Sequence, residues 1–174
     1  MASIVELTKP EHVPVKRLNT GVARTPFGLV TLVWDDLGLR ALGFNDWGGE
    51  GLDNGSQASF ERDDEFASCL VNDALAGRSL SLPLVLCGTP FQREVWRALM
   101  TLHVGQTVSY GELALELGKP GAARAVGSAV GANRLGFVVP CHRVVRQDGK
   151  IGQFRWGSEL KARLLAWESK ATHG

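Results

Sequence analysis

Apolar positions fall into distinct kinds of run along the chain. Between Gly28 and Phe44 (GLVTLVWDDLGLRALGF) they form two dense stretches parted by Asp35-Asp36-Leu37-Gly38, which predicts two strands around a tight turn. From Phe60 to Leu75, the residues Phe66, Leu70, Val71, Ala74 and Leu75 recur at helical spacing and predict one helix. Leu82–Leu86 is a short apolar run of strand length. The stretch from Asn45 to Ser59 is rich in Gly, Asn and Asp without an apolar period, and predicts an exposed loop. The first half therefore predicts an α/β domain, a small antiparallel sheet plus a helix, over residues 1–87, with the boundary near Cys87-Gly88.

The pattern changes in residues 88–174, which predict a mainly helical domain. Thr89-Pro90-Phe91-Gln92 places a capping Thr, a proline at the first helical position and a Gln three residues on. Phe91, Val95, Trp96 and Leu99 then mark the buried stripe. Ser109-Tyr110-Gly111-Glu112 is a capping box that opens a second helix, and Gly118-Lys119-Pro120 stops it. Ala122, Ala123, Val126, Ala129 and Val130 form the inner face of a third. Two short helices about a tight Gly-Pro turn describe a helix-turn-helix. The outer face of the second of these carries Arg124, Gly127, Ser128 and Gly131, small residues that let a bulky partner approach the backbone. An ordinary helical hairpin with incidental small residues is the alternative that the pattern leaves open.

Charge sharpens the division. The first 88 residues carry seven Lys/Arg against twelve Asp/Glu, and the remainder twelve against six. A basic second half beside an acidic first half suggests a face that meets a polyanion. The N-terminus has no basic flank before an apolar run, and no apolar stretch is long enough to span a bilayer. Three cysteines without framework spacing fit a reducing compartment. The expectation is a soluble cytoplasmic protein with no membrane partner.

The chemically richest segment is Val138-Val139-Pro140-Cys141-His142-Arg143-Val144-Val145. A Cys beside a His, between β-branched apolar stretches, belongs near the interior. A thiol reacts as thiolate, so it needs a base or a positive field. His142 can be that base, directly or through one water, if a carboxylate holds its tautomer. Glu168 falls on the face of Leu160 and Leu164 in the last predicted helix. There it opposes the helix dipole and needs either solvent or a cationic partner. The residues alone also allow Cys141 to be a buried structural thiol, the fate expected for Cys69 and Cys87. The cysteines and histidines lack ligand-pair spacing, so no metal is expected, and the papain-type signature around a nucleophilic Cys is absent.

Pro140-Cys141-His142-Arg143-Val144 resembles the active-site signature of the O6-alkylguanine-DNA alkyltransferases, or methylated-DNA–protein-cysteine methyltransferases. The likeness runs from Thr89-Pro90-Phe91-Gln92 and Val95-Trp96 through Val108-Ser109-Tyr110-Gly111 and Arg124-Ala125-Val126-Gly127. It continues to Asn133 and ends with Leu164-Leu165-Ala166-Trp167-Glu168, while Thr25-Pro26-Phe27-Gly28 matches more loosely. The resemblance implies direct-reversal repair in which Cys141 accepts the alkyl group, chiefly methyl, from O6 of guanine in duplex DNA, with O4 of thymine as a second lesion. It implies His142 as water-mediated base, Glu168 as its orienter, Asn133 as the brace of the turn, and Tyr110 as donor to guanine N3. Arg124 would fill the gap left by a flipped nucleotide, and the backbone carbonyls of Cys141 and Val144 would read the guanine amino group. Ala123, Gly127, Ser128, Gly131, Arg134, Phe154, Arg155 and Trp156 would complete the DNA and substrate surface in the minor groove. The thioether product implies a single-use protein without cofactor; a monomer in solution is expected, and cooperative loading on DNA is left open by the sequence.

Three positions depart from the family pattern. Arg134 stands where proline is frequent and is expected to add charge near the DNA face. Phe154 stands where tyrosine is frequent. Trp156 stands where some relatives have glycine, and is expected to narrow the substrate pocket. No zinc site is expected in the first half, and no added domain suggests a transcriptional switch. Relatives that sense lesions without repairing them lack the cysteine, which is present here. A sequence-specific regulator and a Cys hydrolase are the other readings, the former disfavoured by the few base-reading groups on the predicted helix.

Overall fold

The computed structural model describes residues 3–8, 17–45 and 59–171. These divide into two compact units, residues 1–89 with 134–138, and residues 90–133 with 139–174.

The first unit is built on a six-stranded sheet. Strands β2 (Arg17–Thr25), β3 (Gly28–Asp35) and β4 (Gly38–Phe44) form an antiparallel meander. The two strands predicted over 28–44 are β3 and β4, and their turn falls at Asp36-Leu37. There Asp35 Oδ1 accepts the Leu37 N–H at 3.0 Å, as Asx turns do. Around this meander stand β1 (Ile4–Leu7), β5 (Ser59–Arg62) and β6 (Leu84–Cys87), in the order β1-β6-β4-β3-β2-β5. The pairings β1/β6, β4/β6 and β2/β5 are parallel. The sheet is thus larger than expected and mixed, not antiparallel. The short apolar run at Leu82–Leu86 supplies β6, inside the sheet between β1 and β4, while the unexpected edge strands β1 and β5 have four residues each, too few for alternation to stand out from background.

The helix expected from Phe60 starts later, as α1 (Asp64–Leu75). Asp63 sets that start: its side chain accepts the Phe66 N–H at 2.9 Å, an N-cap bond. Residues 59–62 are drawn instead into register with Arg17–Thr20. Helix α1 buries Ala67, Leu70 and Val71 against the sheet, and Phe66 meets Trp34 with ring centroids 5.3 Å apart. Glycine at position 21 permits that approach, because a Cβ there would lie 2.3 Å from the Asp63 carbonyl oxygen. The expected Asn45–Ser59 loop lies, apart from its two ends, outside the described residues.

Residues 134–138, expected in the second domain, run in the first unit. The Leu42 N–H donates to the Arg134 carbonyl at 2.9 Å, and the Gly136 N–H donates to the Leu42 carbonyl at 2.8 Å. Those bonds continue the β4 ladder, a long-range pairing with no local signature.

The second unit is mainly helical. It holds α2 (Pro90–Met100), α3 (Tyr110–Glu116), α4 (Ala123–Gly131) and α5 (Ser158–Ala171), with a two-residue parallel ladder between β7 (Val108–Ser109) and β8 (Val144–Val145). Pro90 is the first residue of α2, whose buried face is Val95, Trp96 and Leu99. Trp96 Nε1 donates to the Ala129 carbonyl at 2.8 Å and pins α2 to α4. The capping box of α3 is present in full: the Ser109 N–H donates to Glu112 at 2.7 Å, and the Glu112 N–H to Ser109 Oγ at 3.2 Å. Val126, Ala129 and Val130 are the buried residues of α4.

Candidate active site

Cys141 opens a single 3₁₀ turn, Cys141–Arg143, between Pro140 and β8. It is buried, 3% exposed, yet it lies in the wall of an open cleft of about 940 Å³, at the upper end of the size of ligand sites. Tyr110, Arg124, Gly127, Gly131 and Phe154 also line this cleft. Asn133 follows the end of α4 and reaches the turn from below. Its Nδ2 donates to the Val139 carbonyl at 3.0 Å and to Cys141 Sγ at 3.1 Å. The expected brace is therefore also a direct contact of the thiol.

Behind the cysteine is a closed ionic cluster. His142 Nε2 lies 2.8 Å from Glu168 Oε1, and both side chains are fully buried. Arg143 grips the same carboxylate through Nε at 3.0 Å and Nη2 at 2.8 Å, and donates from Nη1 to the Leu102 carbonyl at 2.5 Å. The Gly105 N–H completes the set at 3.1 Å. Of the two environments open to a last-turn carboxylate, solvent or a cation, the structure supplies the cation.

The charges respond to this burial. Desolvation pushes Glu168 up, but bonds from His142, Arg143 and Gly105 outweigh it and bring the carboxyl down to about 2. His142 is lowered, by burial first, against the opposing pull of Glu168. It is thus neutral at physiological pH. An ionised Glu168 holds the ring proton on Nε2, which places the basic lone pair on Nδ1. Burial pushes the Cys141 thiol up to about 11, against smaller lowering effects of Asn133, Lys161 and nearby backbone N–H groups. The resting group is a thiol, not the preformed thiolate that a depressed pKa would give.

Lys161 is the residue that sequence reasoning missed. It sits on the inner face of α5 with Leu160, Leu164 and Glu168, fully buried. Its Nζ donates to the Val144 carbonyl at 2.5 Å and to the Gln153 carbonyl at 3.3 Å. Burial draws its pKa down to about 8, while Cys141 acts to raise it. The signal was its helical spacing with Leu164 and Glu168, where a lysine is normally read as snorkelling outward. Tyr110 is raised by burial and by Cys141, so its phenol stays protonated and able to donate.

The remaining expected residues divide. Ala123, Ser128 and Arg155 line the cleft with those already named, and Arg155 Nη1 donates to the Gly131 carbonyl at 3.2 Å. The Tyr110 ring lies close to Gly127, 3.7 Å from where a Cβ would sit there. Val144 is buried beneath the cleft and its carbonyl already accepts from Lys161. Trp156 is not in the cleft lining. Its ring packs edge-on against Phe154, centroids 5.2 Å apart, and it is Phe154 that lines the cleft, so Trp156 does not narrow it by contact. Arg134 is likewise absent from the lining and belongs to the first unit. No group of three or more His, Cys, Asp or Glu among the described residues is placed to hold a metal ion. No helix there is long and apolar enough to cross a membrane.

Cys141 thus stands in the wall of an open cleft, beside a neutral histidine oriented by a buried carboxylate, an arrangement that suits a nucleophilic cysteine. The family model for the 6-O-methylguanine DNA methyltransferase DNA-binding domain matches residues 90–170. The Mycobacterium tuberculosis OGT, solved in complex with DNA, is similar with a TM-score of 0.74 and 35% identity over 87% of this chain and 93% of that one. The methylated-DNA–protein-cysteine methyltransferase of Shigella flexneri is 51% identical over 88 residues, 51% of this chain and 52% of that protein. The regulatory protein Ada of Salmonella typhimurium is 56% identical over 91 residues, 52% of this chain and 26% of that protein. The chain belongs to the methylated-DNA–protein-cysteine methyltransferase family. The matched segment spans about half or less of these two curated relatives.

Proposed function

We propose that this chain reverses alkylation damage in duplex DNA by moving an alkyl group, chiefly methyl, from O6 of guanine to Cys141. The observation that carries the reading is Cys141 in the cleft wall with His142 and Glu168 sealed behind it. Through one water, His142 takes the thiol proton as the sulfur–carbon bond forms and the carbon–O6 bond breaks. The electron pair left on guanine is neutralised by protonation, toward which the Tyr110 hydroxyl is a donor. Glu168 orients His142 and balances the charge it gains. Asn133 stabilises the developing thiolate by a hydrogen bond and Lys161 by its charge. The thioether is not hydrolysed, so each molecule acts once and without cofactor.

The short helices α3 and α4 act as a helix-turn-helix that enters the minor groove. Ala123, Gly127, Ser128 and Gly131 admit the backbone closely, and Arg124 occupies the stack while the damaged nucleotide is turned out, a step that costs a few kcal/mol. Thymine alkylated at O4 is a second substrate. The protein works as a cytoplasmic monomer that can load cooperatively on DNA.

Intact-mass spectrometry after mixing with excess O6-methylguanine duplex tests the reading. A gain of about 14 Da on Cys141, stopping at one group per molecule and absent in Cys141→Ala, is expected. Tight binding with no gain in mass would make the chain a lesion sensor instead.

A further inference from the structure

Beside the cleft that holds Cys141 runs a second groove of about 560 Å³, floored by Thr107, Ser109, Glu112 and Gly121. Arg146 and Ala123 line both, so they form the ridge between the two. Arg146 opens a tight turn: its N–H donates to the Lys150 carbonyl at 2.9 Å, and the Gly149 N–H donates to the Arg146 carbonyl at 2.9 Å. Within this turn Asp148 holds two cations at once, Arg146 Nη2 at 3.3 Å and Lys150 Nζ at 3.5 Å. All three side chains are exposed, between 41% and 75%. Such pairs are weak and exchange readily for another anion.

The ridge stands at the mouth of the reactive cleft. The Arg146 stem and the Tyr110 hydroxyl both lie within 4 Å of the point where a Cβ on Gly152 would sit. A nucleotide whose base enters the cleft keeps its backbone outside, and the phosphodiester beside that base must cross this mouth. A guanidinium matches the geometry of phosphate oxygens, and does so better than a lysine.

We propose that Arg146 is a phosphate-binding residue for the strand carrying the turned-out nucleotide, and that Asp148 occupies it as a stand-in anion until DNA arrives. The proposal rests on duplex DNA being the substrate. Asp148 then lowers affinity for any polyanion, because the carboxylate must be displaced each time. It sets a threshold against idle binding while keeping Arg146 and Lys150 aimed outward.

The test is the salt dependence of binding to undamaged and O6-methylguanine duplexes, followed by anisotropy in increasing KCl, for the full chain and three variants. Arg146→Ala is expected to weaken binding about threefold to tenfold at low salt and to reduce the log–log salt slope by about 1. Arg146→Lys should recover the slope but only part of the affinity. Asp148→Asn keeps the side-chain oxygen that accepts the Lys150 N–H at 3.1 Å, so the turn persists. It should bind both duplexes more tightly and with a steeper slope. An unchanged slope in Arg146→Ala, or binding by Asp148→Asn no tighter than wild type, overturns the proposal. If wild type gains no mass from the methylated duplex yet Arg146→Ala loses slope, the alkyl-transfer reading fails and this one stands.

Discussion

The carbonyl oxygen of Val144 already accepts a hydrogen bond from the Nζ of Lys161, 2.5 Å away. A buried ammonium is thereby fixed to the strand that directly follows the Cys141 turn, and its charge lowers the pKa of that thiol. A preorganised cation in a dry site stabilises developing negative charge far more than the same cation in water.

Lys161→Met should therefore slow alkyl transfer about tenfold or more without a matching loss of stability. Removing the amine leaves the Val144 and Gln153 carbonyls short of a donor, at about 1–3 kcal/mol, but also removes a buried charge, which often stabilises. Single-turnover rates with a methylated duplex, read beside denaturant midpoints, separate the two. A rate that falls only in proportion to the unfolded fraction would leave Lys161 a packing residue.

Glu168→Gln should be costly to the fold. Arg143 and His142 share this carboxylate, and losing one partner of a buried pair is typically worth about 3–5 kcal/mol. Chemical denaturation at pH 7 should show a loss of unfolding free energy of that order. A shift below about 1 kcal/mol would mean that the cluster contributes little net stability.

Stability should decline on the acid side in two stages. His142 has its folded pKa lowered below the ordinary 6.5, so the unfolded chain binds more protons and stability falls as pH drops below about 6.5. Glu168, brought down to about 2 from 4.5, contributes stability that is complete above about pH 4.5 and is lost as pH falls toward 2. That contribution is on the order of 3 kcal/mol. On the alkaline side Lys161 and Cys141 act in opposite senses. The Lys161 shift raises stability between about 8 and 10.5, and the Cys141 shift lowers it between about 9 and 11. Melting temperatures across pH 3–10 should thus show a steep acid limb and a nearly flat alkaline one. A symmetric profile would contradict these shifts.

Gly152→Ala should impair the reaction more than the fold. Its φ of +73° costs an L-residue about 1–2 kcal/mol. The added methyl would sit 3.3 Å from the Arg146 stem and 3.6 Å from the Tyr110 hydroxyl. A rate loss with methylated duplex well beyond the loss in stability is expected. Equal rates would show that the mouth of the cleft has room to spare.

Legibility in the sequence followed the range of each interaction. The capping box at Ser109, the start of α2 at Pro90 and the β3–β4 turn are local and were readable. So was the reactive segment around Cys141, together with the candidate pairing of His142 with Glu168. Strand β5 and the 134–138 segment were not, because each is defined by a partner strand far away in sequence: Arg17–Thr20 for one and Leu42 for the other. Lys161 escaped for a different reason. A buried lysine violates the rule by which helical faces are read, and such violations collect where a site stores its function. Trp156 was assigned to the cleft by position in the family pattern alone, whereas its ring packs on Phe154.

The sealing of Cys141 also bears on how long the molecule keeps. Under the proposed function the sulfur is consumed in use and must survive waiting, and a protonated sulfur with 3% exposure is a poor target for stray electrophiles and oxidants. Cys69, expected to be buried, is instead exposed on α1, and Cys87 is only partly buried, so Cys69 is met first by such agents. Damage there leaves the number of working molecules unchanged, so the capacity of a population is set by intact Cys141 and not by its total thiol content.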